Sequence, residues 1–211
     1  MRLAAPLLLL GTGLALAGCN GASDAKYNES EAAARGVAPD REAVLRDRWS
    51  KLFADPAAVV KAANEFGYAV PGYAQAGSGY RAEGKPQVLP AADAPITVKT
   101  DFLATGAKAD RVESIEFTFD VAVNGKANSG KEADAARIPS RIVRGFLSRF
   151  DVGPGDAVNT AINQQQPVTA PLPGATIRVD ALRAAGAPKG AAQLLVRIAP
   201  ATNPQDSTAR K

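Results

Sequence analysis

The sequence predicts an α+β domain: an antiparallel sheet of about four strands with helical hairpins on one face, in the order ααββααββ. Three observations predict this fold class. Two separate stretches carry apolar residues at helical spacing and are interrupted by a proline; other stretches alternate between apolar and polar residues; and helices and strands are grouped in pairs instead of alternating singly. Grouped elements favour antiparallel strands covered on one side by helices.

The first helical pair is predicted between residues 40 and 67. Asp40 is a favourable N-cap residue for a helix with an apolar stripe. Asp55 and Pro56 then supply an N-cap and a first helical residue for a second helix, which Gly67 ends. The stripe of the first helix consists of Val44, Leu45, Trp49, Leu52 and Phe53, and that of the second of Val59, Val60, Ala63 and Phe66.

Two strands follow. Residues 96–102 alternate, and residues 115–123 form the clearest strand of the chain, because every second residue is a large apolar one. The residues predicted on its buried face are Ile115, Phe117, Phe119, Val121 and Val123.

The second helical pair begins at Pro139 and ends with a short helix over residues 156–165, and two strands over 176–182 and 193–199 close the domain. The stripe of the third helix consists of Ile138, Ile142, Val143, Phe146, Leu147 and Phe150. The residues predicted on the solvated face of the sheet are Glu116, Thr118, Asp120, Arg178, Asp180 and Arg197.

The two helical pairs align without gaps at an offset of 98 residues. The alignment matches Ser50 with Ser148 and Pro56 with Pro154, and apolar character agrees at other positions. Either the chain contains an internal duplication, or two proline-broken hairpins in an alanine-rich sequence look alike.

Residues 67–95 are rich in Gly, Pro and Ala and carry Tyr68, Tyr73 and Tyr80. We interpret this segment as a long loop or as one or two short, irregular strands. The three rings are candidates to stack on a sugar or another small ligand, or they fasten the segment to the core. Gly77-Ser78-Gly79 is not a phosphate loop, because no Gly-Lys-Ser/Thr follows it.

Arg137, Arg141 and Arg144 lie opposite the apolar stripe of the third helix. Guanidinium groups one turn apart can bind phosphates or carboxylates bidentately, so anionic lipid, glycan or an envelope protein are candidate partners. The alternative is the ordinary polar face of an amphipathic helix.

Composition argues against most enzyme classes. The 211 residues include no histidine and one cysteine, which removes the commonest general base and transition-metal ligand. Serine–lysine and paired-carboxylate chemistry remain, but Ser140 is followed by Arg141 and Ser50 is directly adjacent to Lys51, so neither has the Ser-x-x-Lys spacing. Glu113 and Glu116 would lie on opposite faces of a strand. We therefore expect that the protein is not an enzyme and that it binds neither a cofactor nor a metal ion. The balance of 25 basic and 21 acidic residues is too mild for a nucleic-acid partner.

The only cysteine closes the run Leu16-Ala17-Gly18-Cys19 behind a short apolar stretch. This run resembles the lipobox of bacterial lipoproteins. The resemblance implies a signal peptide over residues 1–18, acylation of Cys19, a flexible tether over 19–39, one domain over 40–200 and a disordered tail over 201–211. It also implies a membrane anchor through the acyl chains, on the periplasmic side of the cell envelope. Asn20, where enterobacterial inner-membrane lipoproteins carry Asp, favours the outer membrane over the inner one.

The body is similar to an uncharacterised domain family of alphaproteobacterial envelope proteins. The similarity covers residues 54–200 and depends on Asp55-Pro56, Phe66-Gly67-Tyr68 and the run from Asp110 to Phe117. The tryptophan and cysteine of that family's tyrosine-rich loop are missing here. We expect a structural or interaction role; the alternatives are small-molecule or glycan binding by the loop over residues 68–80 and a carboxylate-dependent hydrolase.

Overall fold

The computed structural model describes residues 40–89, 96–123, 137–188 and 190–201. The predicted signal peptide, Cys19, the tether and nearly all of the predicted tail lie outside these ranges. Helices α1 to α4 span Arg41–Ala54, Pro56–Glu65, Ile138–Ser148 and Asp156–Gln164. Strands β1 to β8 span Ala74–Ala76, Gly79–Glu83, Gln87–Leu89, Ile96–Gly106, Ser114–Val123, Val168–Leu172, Ala175–Leu182 and Ala192–Pro200. Among the helices of the described ranges, none has the length and apolar character needed to cross a bilayer.

All eight strands form one antiparallel sheet in the order β1-β2-β4-β5-β8-β7-β6, with β3 also paired to β4. The longest pairing joins β4 and β5, from Ile96 opposite Val123 to Thr105 opposite Ser114. At the centre, β5 pairs with β8, so that Phe117 lies opposite Val196. The sheet edges are β6 on one side and β1 and β3 on the other.

The predicted four-stranded sheet with the order ααββααββ is therefore wrong: five strands follow the first helical pair and three follow the second. The strands that the prediction did not specify are β6 and the three within residues 67–95, a segment predicted as a long loop or as one or two short, irregular strands. They are three to five residues long, lie at or near the sheet edges and are largely exposed, so they show little apolar alternation. In β6, Pro171 also weakens the strand signal, because proline is confined mostly to sheet edges.

Between β2 and β3 the chain passes so close to Tyr68 and Phe102 that a side chain at residue 84 would clash. At Gly84 a Cβ atom would lie 2.9 Å from the Cβ atom of Tyr68 and 3.3 Å from that of Phe102. The Gly84 amide donates to the Phe102 carbonyl at 2.9 Å, and the next amide, of Lys85, donates to the Tyr68 carbonyl at 2.6 Å. The chain thus leaves the β4 ladder at Lys85, directly after Gly84, and rejoins it as β3.

The four helices cover one face of the sheet, and the core lies between the two layers. Phe117 of β5 is fully buried there, with ring centroids 5.4 Å from Phe102 and 5.2 Å from Phe146 of α3. Edge-to-face and tilted rings of this kind add about 0.5–1.5 kcal/mol per pair beyond their burial. The predicted buried face of β5 is confirmed from Ile115 to Val121.

The helix starts follow the predicted capping residues in the first pair. The Asp40 carboxylate accepts from the Glu42 amide at 3.0 Å, and the Asp55 carboxylate accepts from the Ala58 amide at 2.9 Å. Pro56 is the first residue of α2, as predicted. In the second pair, α3 begins one residue before Pro139, and neither α3 nor α4 has a side-chain cap.

The sheet order is the one that a two-fold axis between β5 and β8 produces: β5, β4 and β2 follow one another outward on one side, and β8, β7 and β6 on the other. The offset of 98 residues also matches the ends of the two helical pairs. Gly67 and Gln165 both adopt positive φ, of 85° and 54°. The Tyr68 amide donates to the Ala63 carbonyl, and the Gln166 amide donates to the Ala161 carbonyl. These agreements are expected for an internal duplication.

The first helix of each pair packs on the other half of the sheet. Helix α3 lies over β4 and β5, where Phe146 contacts Phe102 and Phe117. Helix α1 contacts β8, and Gly174 between β6 and β7 approaches its backbone so closely that a Cβ atom would lie 3.0 Å from the Arg46 Cα atom. The two halves therefore share one core.

Candidate binding surfaces

Tyr68 belongs to the core. Its side chain is 1% exposed, its ring lies 5.5 Å from that of Phe102, and its hydroxyl is hydrogen-bonded to the Thr100 Oγ1 atom at 2.7 Å. Burial raises the pKa of Tyr68 to about 12, although the bond to Thr100 acts in the opposite direction. This ring faces the helices and contributes nothing to an exposed ligand site.

Tyr73 and Tyr80 form a separate pair at the β1–β2 end of the sheet. Their rings stack with centroids 5.9 Å apart, and the Tyr73 hydroxyl donates to the Arg111 carbonyl at 2.8 Å. Burial raises the pKa of Tyr73, with smaller contributions from the charge of Glu113 and from Tyr80. The structure thus does not bring the three predicted tyrosines together. The pair fastens the β1–β2 hairpin to the turn before β5.

The exposed side of α3 carries the predicted arginines. Arg141 and Arg144 lie one turn apart and are exposed, and Arg137 is exposed at the N-cap position. The helix contains no acidic residue. In the described part of the chain, no acidic side chain forms an ion pair with Arg141 or Arg144. We call the surface formed by Arg141 and Arg144 the arginine face.

The opposite side of the sheet, which no described helix covers, is the open face. It carries the five charged residues that the alternation predicts, and four of them form pairs: Arg197 with Glu116 at 2.8 Å and Arg178 with Asp180 at 2.9 Å. A third pair joins Arg81 and Glu83 of β2. Exposed pairs contribute about 0–1 kcal/mol each to stability. Their main effect is to leave the open face nearly neutral locally.

A shallow depression of about 290 Å³ lies on the open face between β2, β4 and β5. Three carboxylates line it, from Glu83, Asp101 and Glu116, together with the side chain of Thr118. Sequence reasoning missed this arrangement. Alternation along β4 places Asp101 on the same face as Glu116, but nothing in the sequence predicted that β2 pairs with β4 and brings Glu83 to its side.

A second open hollow, of about 410 Å³, lies beside the turn between β7 and β8 and includes Arg183 and the exposed Leu182. Neither hollow contains a candidate tyrosine or arginine from the sequence analysis. The carboxylates of Glu113 and Glu116 do not form a pair across a cleft, because Glu113 is exposed before β5 and Glu116 is bonded to Arg197. The hydroxyl of Ser140 donates to the Arg137 carbonyl at 3.0 Å and serves the start of α3.

Comparison of the chain with protein-family models, with curated proteins and with solved structures finds no significant match. Function is therefore inferred from the residues and contacts described above. On the arginine face, no acidic side chain of the described ranges neutralises Arg141 or Arg144, and α3 itself contains no acidic residue.

Proposed function

We propose that this protein is a lipid-anchored lipoprotein of the bacterial envelope, facing the periplasm, whose domain acts by binding and not by catalysis. One observation carries the proposal: the run Leu16-Ala17-Gly18-Cys19 contains the only cysteine of 211 residues, directly behind an apolar stretch. A cysteine directly after Leu-Ala-Gly and an apolar stretch resembles the acylation signal of bacterial lipoproteins.

The chemistry of acylation explains the anchor. The Cys19 sulfur would carry diacylglycerol, and the amino group freed by cleavage would carry a third acyl chain. Each buried methylene contributes about 0.8 kcal/mol, so one chain binds marginally while two or more anchor durably. The apolar stretch before Cys19 is interrupted by Pro6, Gly11 and Gly13 and is shorter than the roughly 20 residues of a membrane span. Asn20 after the cysteine favours the outer membrane.

A binding role is supported by the composition and by the described side chains. A chain without histidine lacks the commonest general base, and Cys19 would be blocked by acylation. On the open face, Glu116 and Glu83 each have an arginine partner. The arginine face offers cations that have no such partner, and exposed unpaired guanidinium groups are suited to recognition of anionic groups.

The anchor is tested by replacing Cys19 with Ala in cells that receive radiolabelled palmitate. We expect the wild-type chain to take up the label and to partition into detergent, and Cys19→Ala to remain an uncleaved, unlabelled precursor. Ser23→Ala, four residues further along the chain, is the matched control and should be labelled like the wild type. An unlabelled wild-type chain, or normal processing of Cys19→Ala, would contradict the proposal.

The binding role has its own test. The chain is crosslinked in living cells through a photoreactive residue at Ser148, beside the arginine face, and compared with an unrelated lipoprotein of similar abundance. We expect a lipid or protein adduct that the reference lipoprotein does not form. If adducts are no more frequent than for the reference, the domain has no binding role at this surface.

A further inference from the structure

We propose that the arginine face of α3 docks on the anionic phospholipid headgroups of the leaflet that holds Cys19, so that the helical layer faces the membrane and the open face points away from it. This inference depends on the lipid anchor proposed above and adds an orientation and a ligand chemistry to it.

The two outer surfaces of the domain differ in how their charges are arranged. On the open face, Arg197 and Arg178 each have a carboxylate partner within 2.9 Å, and the exposed Lys99 lies opposite Asp120 in the β4–β5 register. On α3, neither Arg141 nor Arg144 has an acidic partner among the described residues, and the helix itself contains no acid. The next acidic residue along the chain, Asp151, lies beyond the helix end. A surface of unpaired cations attracts an anionic leaflet, whereas paired charges largely cancel.

Packing holds the arginine face in position. The opposite side of α3 is buried at every turn, through Ile142, Val143, Phe146 and Leu147. Arg141 and Arg144 therefore project from a helix whose orientation is fixed by the core, and Ser148 is exposed on the same side one turn further on. Two guanidinium groups on a helix held by the core can bind phosphate oxygens bidentately without first ordering the backbone.

The position of the chain entry agrees with this orientation. The described chain begins at Asp40, which caps α1, and α1 belongs to the same layer as α3. Residues 20–39 span at most about 70 Å when fully extended, which allows the helical layer to reach the leaflet that holds Cys19. Attachment to that leaflet raises the local concentration of headgroups, so that a weak electrostatic contact suffices.

The test uses the full acylated chain in vesicles of phosphatidylcholine with or without 30% phosphatidylglycerol. Because Cys19 would be acylated, an engineered cysteine is the only free thiol and accepts one fluorophore. Ser148→Cys reports on the helical layer, and Gln193→Cys, on the exposed side of β8, reports on the open face. A nitroxide attached to the lipid headgroups quenches a fluorophore that approaches the membrane surface.

We expect quenching at Ser148→Cys in vesicles with phosphatidylglycerol, weak quenching without it or in 0.5 M salt, and weak quenching at Gln193→Cys throughout. Each arginine should change the ratio of docked to undocked domains about fivefold, so Arg141→Gln with Arg144→Gln should lower it about 25-fold. Lys85→Gln with Lys99→Gln removes the same amount of charge outside the helices and should leave the ratio of docked to undocked domains unchanged.

Mass spectrometry of the N-terminal peptide separates failure of the anchor from failure of the orientation. An unacylated Cys19 overturns the anchor and this inference together. An acylated Cys19 with equal quenching at both positions, or with quenching that phosphatidylglycerol does not change, overturns the orientation and leaves the anchor standing. If the arginine and lysine double variants lower the ratio of docked to undocked domains equally, the docking depends on net charge alone, and the proposed role of α3 is overturned.

Discussion

The two helical pairs occupy equivalent places in the sequence and are stabilised by different interactions. Helix α3 is buried at every turn, from Ile142 to Leu147. Helix α1 buries only its last turns, through Trp49, Leu52 and Phe53, and its first turns are exposed or half-buried. At the offset of 98 residues, Phe146 of α3 corresponds to Arg48 of α1.

The difference shows that an equivalent position does not guarantee an equivalent role. Phe146 contacts three other phenylalanine rings, whereas the Arg48 guanidinium donates to the Asp151 carbonyl at 2.9 Å near the protein surface. The first turns of α1 depend on the Asp40 cap and on the ion pair between Arg46 and Glu42 at 3.3 Å. Packing thus stabilises α3 along its whole length, whereas in α1 it stabilises the last turns and weak polar contacts hold the first turns.

The largest expected difference in stability is between variants of the equivalent residues Phe146 and Arg48. Phe146→Ala should lower the free energy of unfolding by about 3–5 kcal/mol, because it leaves a cavity among aromatic rings. Arg48→Ala removes one exposed hydrogen bond and should cost about 1 kcal/mol or less. Urea unfolding measures both. Similar losses in the two variants would mean that the helices are stabilised alike and that the contrast is wrong.

The second effect is a pH dependence of stability that depends on Tyr68, which comes directly after the turn at Gly67. The equivalent residue after the second helical pair is Gln166, which does not titrate. The folded-state pKa of Tyr68 is about 12, compared with 10.0 for an unperturbed tyrosine, so the folded state holds the phenolic proton more tightly. Its stabilising contribution is complete below pH 10 and is lost as the pH rises towards 12, by about 2–3 kcal/mol in total.

Unfolding measured between pH 9 and 12 should show this loss in the wild type and in Tyr80→Phe, in which Tyr68 is intact. Tyr68→Phe should lack this part of the pH dependence. It should also be about 1–3 kcal/mol less stable at pH 7, because the buried Thr100 hydroxyl loses its partner. An unchanged pH dependence in Tyr68→Phe would assign the loss to other groups.

A smaller effect is expected where the second helix of each pair begins. Asp55→Ala removes the bond to the Ala58 amide and should cost about 1 kcal/mol. Helix α4 has Gly155 as its N-cap residue and no side-chain cap, so Asp156→Ala should remove only the interaction of a carboxylate with the helix dipole, about 0.3–1 kcal/mol. Thermal unfolding of both variants tests whether Asp55→Ala loses more stability than Asp156→Ala. A larger loss of stability in Asp156→Ala would contradict this prediction.

The smallest effect is expected at the start of α1. Asp40→Ala removes the bond to the Glu42 amide in turns that bury little apolar surface, so the first turn should open locally while the core remains folded. Hydrogen exchange should become about five- to tenfold faster at the amides of residues 42–44. The free energy of global unfolding should fall by about 0.5 kcal/mol or less. A loss as large as that of Asp55→Ala would show that the first turns of α1 are part of the cooperative core.

The helices and the central strands were predictable because their sequences carry strong local signals. Asp40, Asp55 and Pro56 mark helix starts, and the alternation from Ile115 to Val121 identifies a strand with one buried face. The edge strands were not predictable, since their backbone bonds come from neighbours distant in sequence. Residues 79–83 become a strand because β4 offers an unpaired side, not because their own sequence favours it.

The candidate surfaces were predictable to different degrees. Helical periodicity placed Arg141 and Arg144 on the exposed side of α3, where the structure has them. It could not show that they lack acidic partners there, because pairing depends on tertiary neighbours. Tyr68 was grouped with Tyr73 and Tyr80 by proximity in sequence, but the turn at Gly67 directs it into the core, 2.7 Å from a hydroxyl 32 residues away.

Under the proposed lipid anchor, which would confine the chain to a membrane plane, strand β6 has a further consequence. Molecules held on one leaflet meet far more often than in solution, and a bare sheet edge invites end-to-end polymerisation there. Pro171 offers no amide hydrogen in this rim strand, so a neighbour that approaches it cannot complete a regular ladder. The opposite rim is divided between β1 and β3, each three residues long, and presents no continuous template. Both edges of the sheet thus disfavour the growth of fibres among molecules concentrated on one leaflet.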